Sequence, residues 1–201
     1  GNMASAIIRG ITQKTQDYTM AAYSPNLAGK TDFPAQKLTS AAAVAKVSDI
    51  LFLAVKPYKM AEVLEEIKNV LKPETLVVSI AVSLTLDWYA ERLGQDVPIV
   101  RTLPNTCAAV GEGFTALTFN AKVTEAQKQQ VISLFAMTGK TAVIEEAQMN
   151  AVSALTGSTP ALIYMVIEAM ADAAVKHGIP RAQAYAMAAQ AVKGAGAMVS
   201  E

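Results

Sequence analysis

Cysteine and histidine are nearly missing from this chain: one of each occurs in 201 residues. That excludes a disulfide framework and any zinc site built from the Cys and His of one chain. Excess charge of either sign is also missing, since 17 basic residues balance 17 acidic ones. Nothing in that balance draws the chain to nucleic acid or to an anionic membrane. Aromatics are sparse at 6%, with one tryptophan, and the charged fraction is a low 17%. No uninterrupted apolar run nears the roughly 20 residues of a spanning helix, and the N-terminus lacks the basic-then-apolar layout of a signal peptide. The expectation is a cytoplasmic protein away from membranes, its single cysteine suited to a reducing compartment. Apolar residues make up 52% of the chain, ample for one large domain or two small ones.

The segment Asp49-Ile-Leu-Phe-Leu-Ala-Val-Lys-Pro57 is the reference point. Its apolar run reads as a strand buried on both faces, stopped by a proline that has no N–H to donate. The rhythm from Asp49 to Leu103 is strand, helix, strand, helix, strand: Leu76–Ile80 and Ile99–Leu103 are strands, Met60–Val70 and Leu86–Leu93 helices. Thr85 can cap the second helix, and Thr39-Ser40 a short one through Lys46. Such alternation predicts βαβ units and a parallel sheet. In such a sheet ligands lie beyond the carboxyl ends of the strands, where Ala54, Lys56 and Pro57 fall. Gly113–Phe119 and Thr141–Ile144, with helix Glu125–Met137 between them, extend the sheet at one edge.

Ahead of this core, Ala4, Ile7, Ile8 and Ile11 share one helix face. A glycine followed at once by that helix has the form of the end of a Gly-rich turn. Gly1 and Ala4 would take its last small positions, with a pyrophosphate at the helix N-terminus. Tyr18–Tyr23 reads as a strand, and the loop after it offers Ser24, Asn26 and Lys30 but no acid. An acid there would bind the 2′-hydroxyl of NAD, so its absence leans towards NADP. From Gln148 on, strands give way to alanine- and methionine-rich helical periodicity, broken at Gly157–Pro160 and at Gly178-Ile-Pro180. Gly178 suits a C′ position and Pro180 a first helical turn. About fifty residues cannot bury their own faces well, so this part needs a partner, most simply a second copy. The expected division is 1–146 and 147–201.

Taken together, Gly1-Asn-Met-Ala-Ser-Ala, Ala54-Val-Lys-Pro57, Ser79-Ile-Ala-Val82, Arg101-Thr-Leu-Pro-Asn-Thr106 with Gly111-Glu-Gly113, Leu155-Thr-Gly-Ser-Thr-Pro160, Ile167-Glu-Ala-Met-Ala-Asp172 and Lys176-His-Gly-Ile-Pro-Arg181 resemble pyrroline-5-carboxylate reductase in content and order. The resemblance implies a Rossmann-like, doubly wound and mainly parallel NADP domain, with NAD as a possible alternative, followed by an all-α dimerisation domain. It implies hydride transfer from NAD(P)H to 1-pyrroline-5-carboxylate, giving proline, by homodimers that sometimes form rings. It sets Gly1, Asn2 and Met3 under the pyrophosphate and Ser24 and Asn26 at the adenosine ribose. Ala54, Lys56 and Pro57 fall near the nicotinamide ribose, Ser79 and Ala81 beside the ring, and Asn105 and Ser158 towards the substrate. The family's first strand and its C-terminal Gly-Gly-Thr-Thr segment have no counterpart here. Val82 stands where the family has glycine, and Cys107 where it often has proline.

Reduction of a cyclic imine needs little from side chains, because a protonated imine is already electrophilic. No catalytic acid or base is therefore assigned, and no metal. His177 fits a helix end better than catalysis; Cys107 reads as a small core residue. Glu112 and Glu168 are the acids to inspect, and Met165, Met170 and Met187 read as interface packing. Two alternatives stand beside the imine reductase. One is a β-hydroxyacid-type dehydrogenase using a helical-domain lysine (Lys176 or Lys193); the other is a cofactor-binding or assembly module without turnover.

Overall fold

The computed structural model describes residues 1–27 and 33–200, and Lys30 lies outside them. The chain divides into two compact units, Gly1–Ser153 and Ala154–Glu201.

In the first unit, helix α1 (Asn2–Lys14) precedes two-residue strands β1 (Ala21–Ala22) and β2 (Gln36–Lys37), which pair in parallel. Helix α2 (Ala41–Val47) starts on Ser40, whose hydroxyl accepts from the Ala43 N–H. Then come β3 (Ile50–Leu53), α3 (Pro57–Ile67), β4 (Leu76–Ser79), α4 (Leu86–Leu93), β5 (Ile99–Pro104), β6 (Gly113–Phe119), α5 (Glu125–Ala136) and β7 (Gly139–Val143). Strands β3 to β7 form one sheet in chain order. The pairs β3–β4, β4–β5 and β6–β7 are parallel, and β5–β6 is antiparallel. The expected mainly parallel sheet is thus present. The antiparallel step follows from the short link Asn105–Glu112, too brief for a crossover helix.

Alternation along the strands splits the core in two. Leu51, Leu53, Val77 and Ile99 face α2, α3 and α4, burying Ala45, Met60, Leu64, Ile67 and Tyr89. Leu76, Val78, Val100 and Leu117 face α1 and α5, burying Ile7, Ile11, Val131, Leu134 and Phe135. Helices on both faces are what continuous apolar strands require. Strand β3 lies at the end of its sheet, with no further strand bonded to it among the described residues.

Two local expectations need correction. The Tyr18–Tyr23 strand shrinks to Ala21–Ala22, because only those two residues find partners in β2. Helix α3 starts at Pro57 rather than Met60: proline suits a first helical turn, where its missing N–H is no loss. No residue but glycine takes positive φ among those described, so the Val82 turn closes in ordinary backbone conformation.

The change of composition near Glu146 precedes the division between the units. After a 3₁₀ turn at Glu146–Gln148, α6 (Met149–Val152) still belongs to the first unit, since Met149 is buried with Leu103 and Ala116. A π-helical turn, Ser153–Gly157, follows.

The second unit is the antiparallel pair α7 (Thr159–Lys176) and α8 (Arg181–Ser200). His177 caps α7 and Gly178 takes φ +90°, closing the turn as expected. Pro180 sits one residue ahead of α8 and its carbonyl accepts from the Ala184 N–H. Asp172 pairs with Arg181 across the turn. Leu162, Tyr164, Met165, Val166, Met170, Tyr185 and Met187 are all exposed, more large apolar side chains than a helix pair leaves in water without a cover. By length and composition alone, the helical stretch Glu146–Lys176, which contains an 18-residue window of mean hydropathy 1.3, could cross a membrane. That stretch is not one regular α-helix: the π-helical turn Ser153–Gly157 separates α6 from α7, close to the break expected at Gly157–Pro160.

Candidate active site

Three carboxyl strand ends and two helix starts meet in the first unit. The Ile80 N–H donates to the Leu53 carbonyl at 3.2 Å, setting the exits of β3 and β4 side by side. The Thr102 hydroxyl donates to the Ser79 carbonyl at 3.0 Å and ties β5 to the same point. Met3, in the first turn of α1, packs into the cluster that holds Phe52 and Ile80. The N-terminus of α1 therefore stands at the edge where these strands end.

The helix starts differ in one respect that bears on ligands. Helices α2, α4 and α5 are capped by the hydroxyls of Ser40, Thr85 and Thr124. Helices α1 and α3, starting after Gly1 and Lys56, have no side-chain cap. The first N–H groups of α1 keep their hydrogen-bonding capacity, whereas in α3 Pro57 has no N–H and the Lys59 N–H donates to the Lys56 carbonyl at 2.9 Å, so that end offers chiefly its positive dipole. Two such ends, with the exposed Lys56 beside one of them, suit a diphosphate. Sequence reading named Lys56 and Pro57 but missed that they open a helix; a proline after a strand was the available signal.

Other predicted residues fall as follows. Gly1, Asn2, Lys56 and Pro57 are exposed, Met3 and Ala54 half-buried and Ala81 buried. Ser24 and Asn26 lie in the turn after β1, where the Leu27 N–H donates to the Ser24 carbonyl at 2.9 Å. The Asn105 side-chain oxygen accepts from the Phe114 N–H at 3.2 Å and so fastens the β5–β6 link. Ser158, exposed, belongs to the second unit. Cys107 is half-buried, Glu112 and Glu168 are exposed, and no cluster of His, Cys, Asp or Glu fit for a metal occurs among the described residues.

Ser79 is fully buried, and its hydroxyl is spent inside the protein. It lies 2.5 Å from the Tyr89 hydroxyl and accepts from the Ala81 N–H at 3.1 Å. Its side chain therefore shapes the turn 79–82 from beneath. Burial pushes the Tyr89 phenol up to about 12, against the smaller opposing pulls of the Ser79 hydrogen bond and the Arg101 charge. The folded state thus holds the phenolic proton more tightly than the unfolded chain, whose tyrosines titrate near 10. This contribution to stability is complete below about pH 10 and is lost as pH rises towards 12. Urea unfolding from pH 8 to 12 is expected to show that decline, and Tyr89→Phe to flatten it while costing about 1 kcal/mol for the unpaired Ser79 hydroxyl.

Two recesses flank these strand ends. A groove of about 560 Å³ runs along α1 past Asn2, Ser5 and Arg9 to Ala109 and Gly111. A smaller one of about 350 Å³ is lined by Ser83, Thr85, Arg101, Glu146 and Asn150. The first reaches from the uncapped end of α1, at Asn2, along its flank to Lys14.

Comparison with known proteins agrees with this geometry. Residues 146–201 match the family model described as pyrroline-5-carboxylate reductase dimerisation. Residues 1–83 match the one described as NADP oxidoreductase coenzyme F420-dependent. The chain is 44% identical over 207 aligned residues to pyrroline-5-carboxylate reductase of Escherichia coli, covering 100% of this chain and 77% of that one. It is 34% identical to the Arabidopsis thaliana enzyme, covering 100% and 75%. Among solved structures, pyrroline carboxylate reductase of Plasmodium falciparum with NADP bound superimposes with a TM-score of 0.91 at 32% identity, covering 100% of this chain and 76% of that one. Prephenate dehydrogenase of Aquifex aeolicus, at 13% identity and a TM-score of 0.62, shares the fold alone.

Proposed function

The chain belongs to the pyrroline-5-carboxylate reductase family, and from that premise we propose how its residues carry out the reaction. The enzyme reduces 1-pyrroline-5-carboxylate to L-proline with NADPH, a step of proline biosynthesis, and it works as an oligomer. Bound NADPH supplies a hydride to the imine carbon, and a proton completes the amine at nitrogen.

The protein's part is to bind, orient and keep water out. The observation that carries the assignment is the pair of uncapped helix starts at the carboxyl edge of the sheet. Gly1, Asn2 and Met3 take the diphosphate on the free N–H groups of α1. Ser24 and Asn26, with no acid beside them, take the ribose that carries the 2′-phosphate. Ala54, Lys56 and Pro57 hold the nicotinamide ribose at the start of α3. Ala81 lies against the ring, while Ser79 acts from below through its bonds to Tyr89 and the Ala81 N–H. Asn105 fixes the wall on the substrate side; Ser158, at the start of α7 in the helical unit, is a further candidate for binding substrate. No side chain is assigned as proton donor, since an iminium brings its own electrophilicity.

Residues 1–146 serve as the cofactor domain and 147–201 as the dimerisation domain, with a second copy covering the apolar face of α7 and α8; rings of dimers extend the same contact. Glu168 and Asp172 on α7 support a protein rather than a lipid cover. The lone cysteine supports a cytoplasmic location. The dehydrogenase alternative depended on Lys176 or Lys193, and both are exposed on the helical unit.

The test is direct. The purified protein is expected to oxidise NADPH with pyrroline-5-carboxylate and not with 3-hydroxyacid-derived semialdehydes, and to sediment as a dimer or a multiple of one. NADPH binding without turnover of pyrroline-5-carboxylate would overturn the assignment of the reaction to these residues.

A further inference from the structure

Arg101 on β5 is a buried cation whose side chain is 5% exposed. One terminal nitrogen donates to Glu146 Oε1 at 2.8 Å, and the other donates to the Val82 carbonyl. The same Glu146 oxygen accepts from the Leu86 N–H, the first of α4, at 2.8 Å. Nε is buried with no hydrogen-bond partner. Burying a guanidinium costs several kcal/mol, and an apolar pair of similar volume serves stability as well or better. The buried charge therefore calls for another explanation, and its three attachments supply one. They are the last residue of the turn Ser79–Val82, the start of α4 and the 3₁₀ turn that carries Glu146.

The turn is held from two sides. Ser79 and Tyr89 fix its beginning, and Arg101 fixes its end. Val82 gives this fastening its purpose. Valine keeps residue 82 in ordinary backbone conformation, with less freedom than a glycine would have, and Arg101 fixes the direction of its carbonyl. A planar guanidinium does this while gripping a carboxylate; an ammonium has no such fork.

We propose that Arg101 is a positioning residue for hydride transfer. With Glu146 behind it, it sets the depth of the 79–82 turn and hence the seat of the nicotinamide ring, without touching cofactor or substrate. The inference rests on the reading above that this turn faces the ring. It concerns how far the ring can drift from the imine carbon, so its signature is in the chemical step and not in cofactor capture.

The experiment compares wild type, Arg101→Lys, Arg101→Met and Glu146→Gln. It measures kcat, KM for NADPH, the affinity for adenosine 2′,5′-bisphosphate as a probe of the other half of the cofactor site, and the deuterium isotope effect with NADPH labelled at C4. For the Arg101 variants kcat is expected to fall about 10- to 100-fold. Affinity for the bisphosphate should stay within about twofold, and the isotope effect should rise as hydride transfer becomes limiting. Glu146→Gln keeps an acceptor for Leu86 but drops the counter-charge. It should show the same pattern, about 3- to 10-fold in kcat, and it carries the test if neither Arg101 variant folds. Unchanged kcat in a folded variant would overturn the proposal, as would parallel losses of kcat and bisphosphate affinity, the mark of general unfolding. Failure of the wild type itself to turn over would instead overturn the underlying assignment of the site.

Discussion

Lys56→Glu is expected to raise KM for NADPH by about 10- to 100-fold while leaving the melting temperature unchanged or slightly higher. The two effects have opposite signs because they act on different partners. Lys56 is the N-cap of α3, exposed, and makes no side-chain cap bond. A carboxylate there favours the helix dipole by a few tenths of a kcal/mol. The same carboxylate occupies the positive end of the helix and repels a diphosphate, a change of two charge units at close range. Even at high effective dielectric that amounts to about 1–3 kcal/mol of binding. Steady-state kinetics with NADPH varied, alongside thermal unfolding without cofactor, separates the two. An unaltered KM would take the nicotinamide ribose, and the phosphates next to it, away from the start of α3.

Gly139→Ala is expected to have the largest effect on stability, at least about 3 kcal/mol, and to leave little cooperatively folded protein. Gly139 opens β7 at φ +146°, and a Cβ there would lie 1.9 Å from the Gly113 carbonyl oxygen. The two glycines face each other in the β6–β7 register, and backbone cannot move aside as a side-chain tip can. Gly10→Ala makes a useful contrast. Its Cβ would come within 2.6 Å of the Thr138 methyl group, a side-chain atom, so the expected cost is the about 1–3 kcal/mol of an overpacked core. Urea titrations of both variants should keep that order; equal stabilities would contradict the packing described for β6 and β7.

The strands and helices around Phe52, Val78 and Val100 were legible from sequence because long apolar runs between polar bounds have few other uses. The caps at Ser40 and Thr85 follow from residue type in the same way. Order among the motifs was legible too, and it carried the family assignment. The partners of individual polar groups were not. Ser79 read as a ligand group, yet its hydroxyl turns inwards to Tyr89, ten residues on. Nothing local to Arg101 announces that it meets Val82 and Glu146, one on each side in the chain and 45 residues away at the farther.

The sequence by itself determined the layered α/β frame, the helical tail and the chemistry they serve, because hydrophobic period and residue type act over short spans. Only the tertiary structure decided which helix starts stay uncapped, where the antiparallel step falls and which buried hydroxyls and charges brace the turn 79–82. Those depend on groups distant in the chain meeting at one place, and no local pattern records such a meeting.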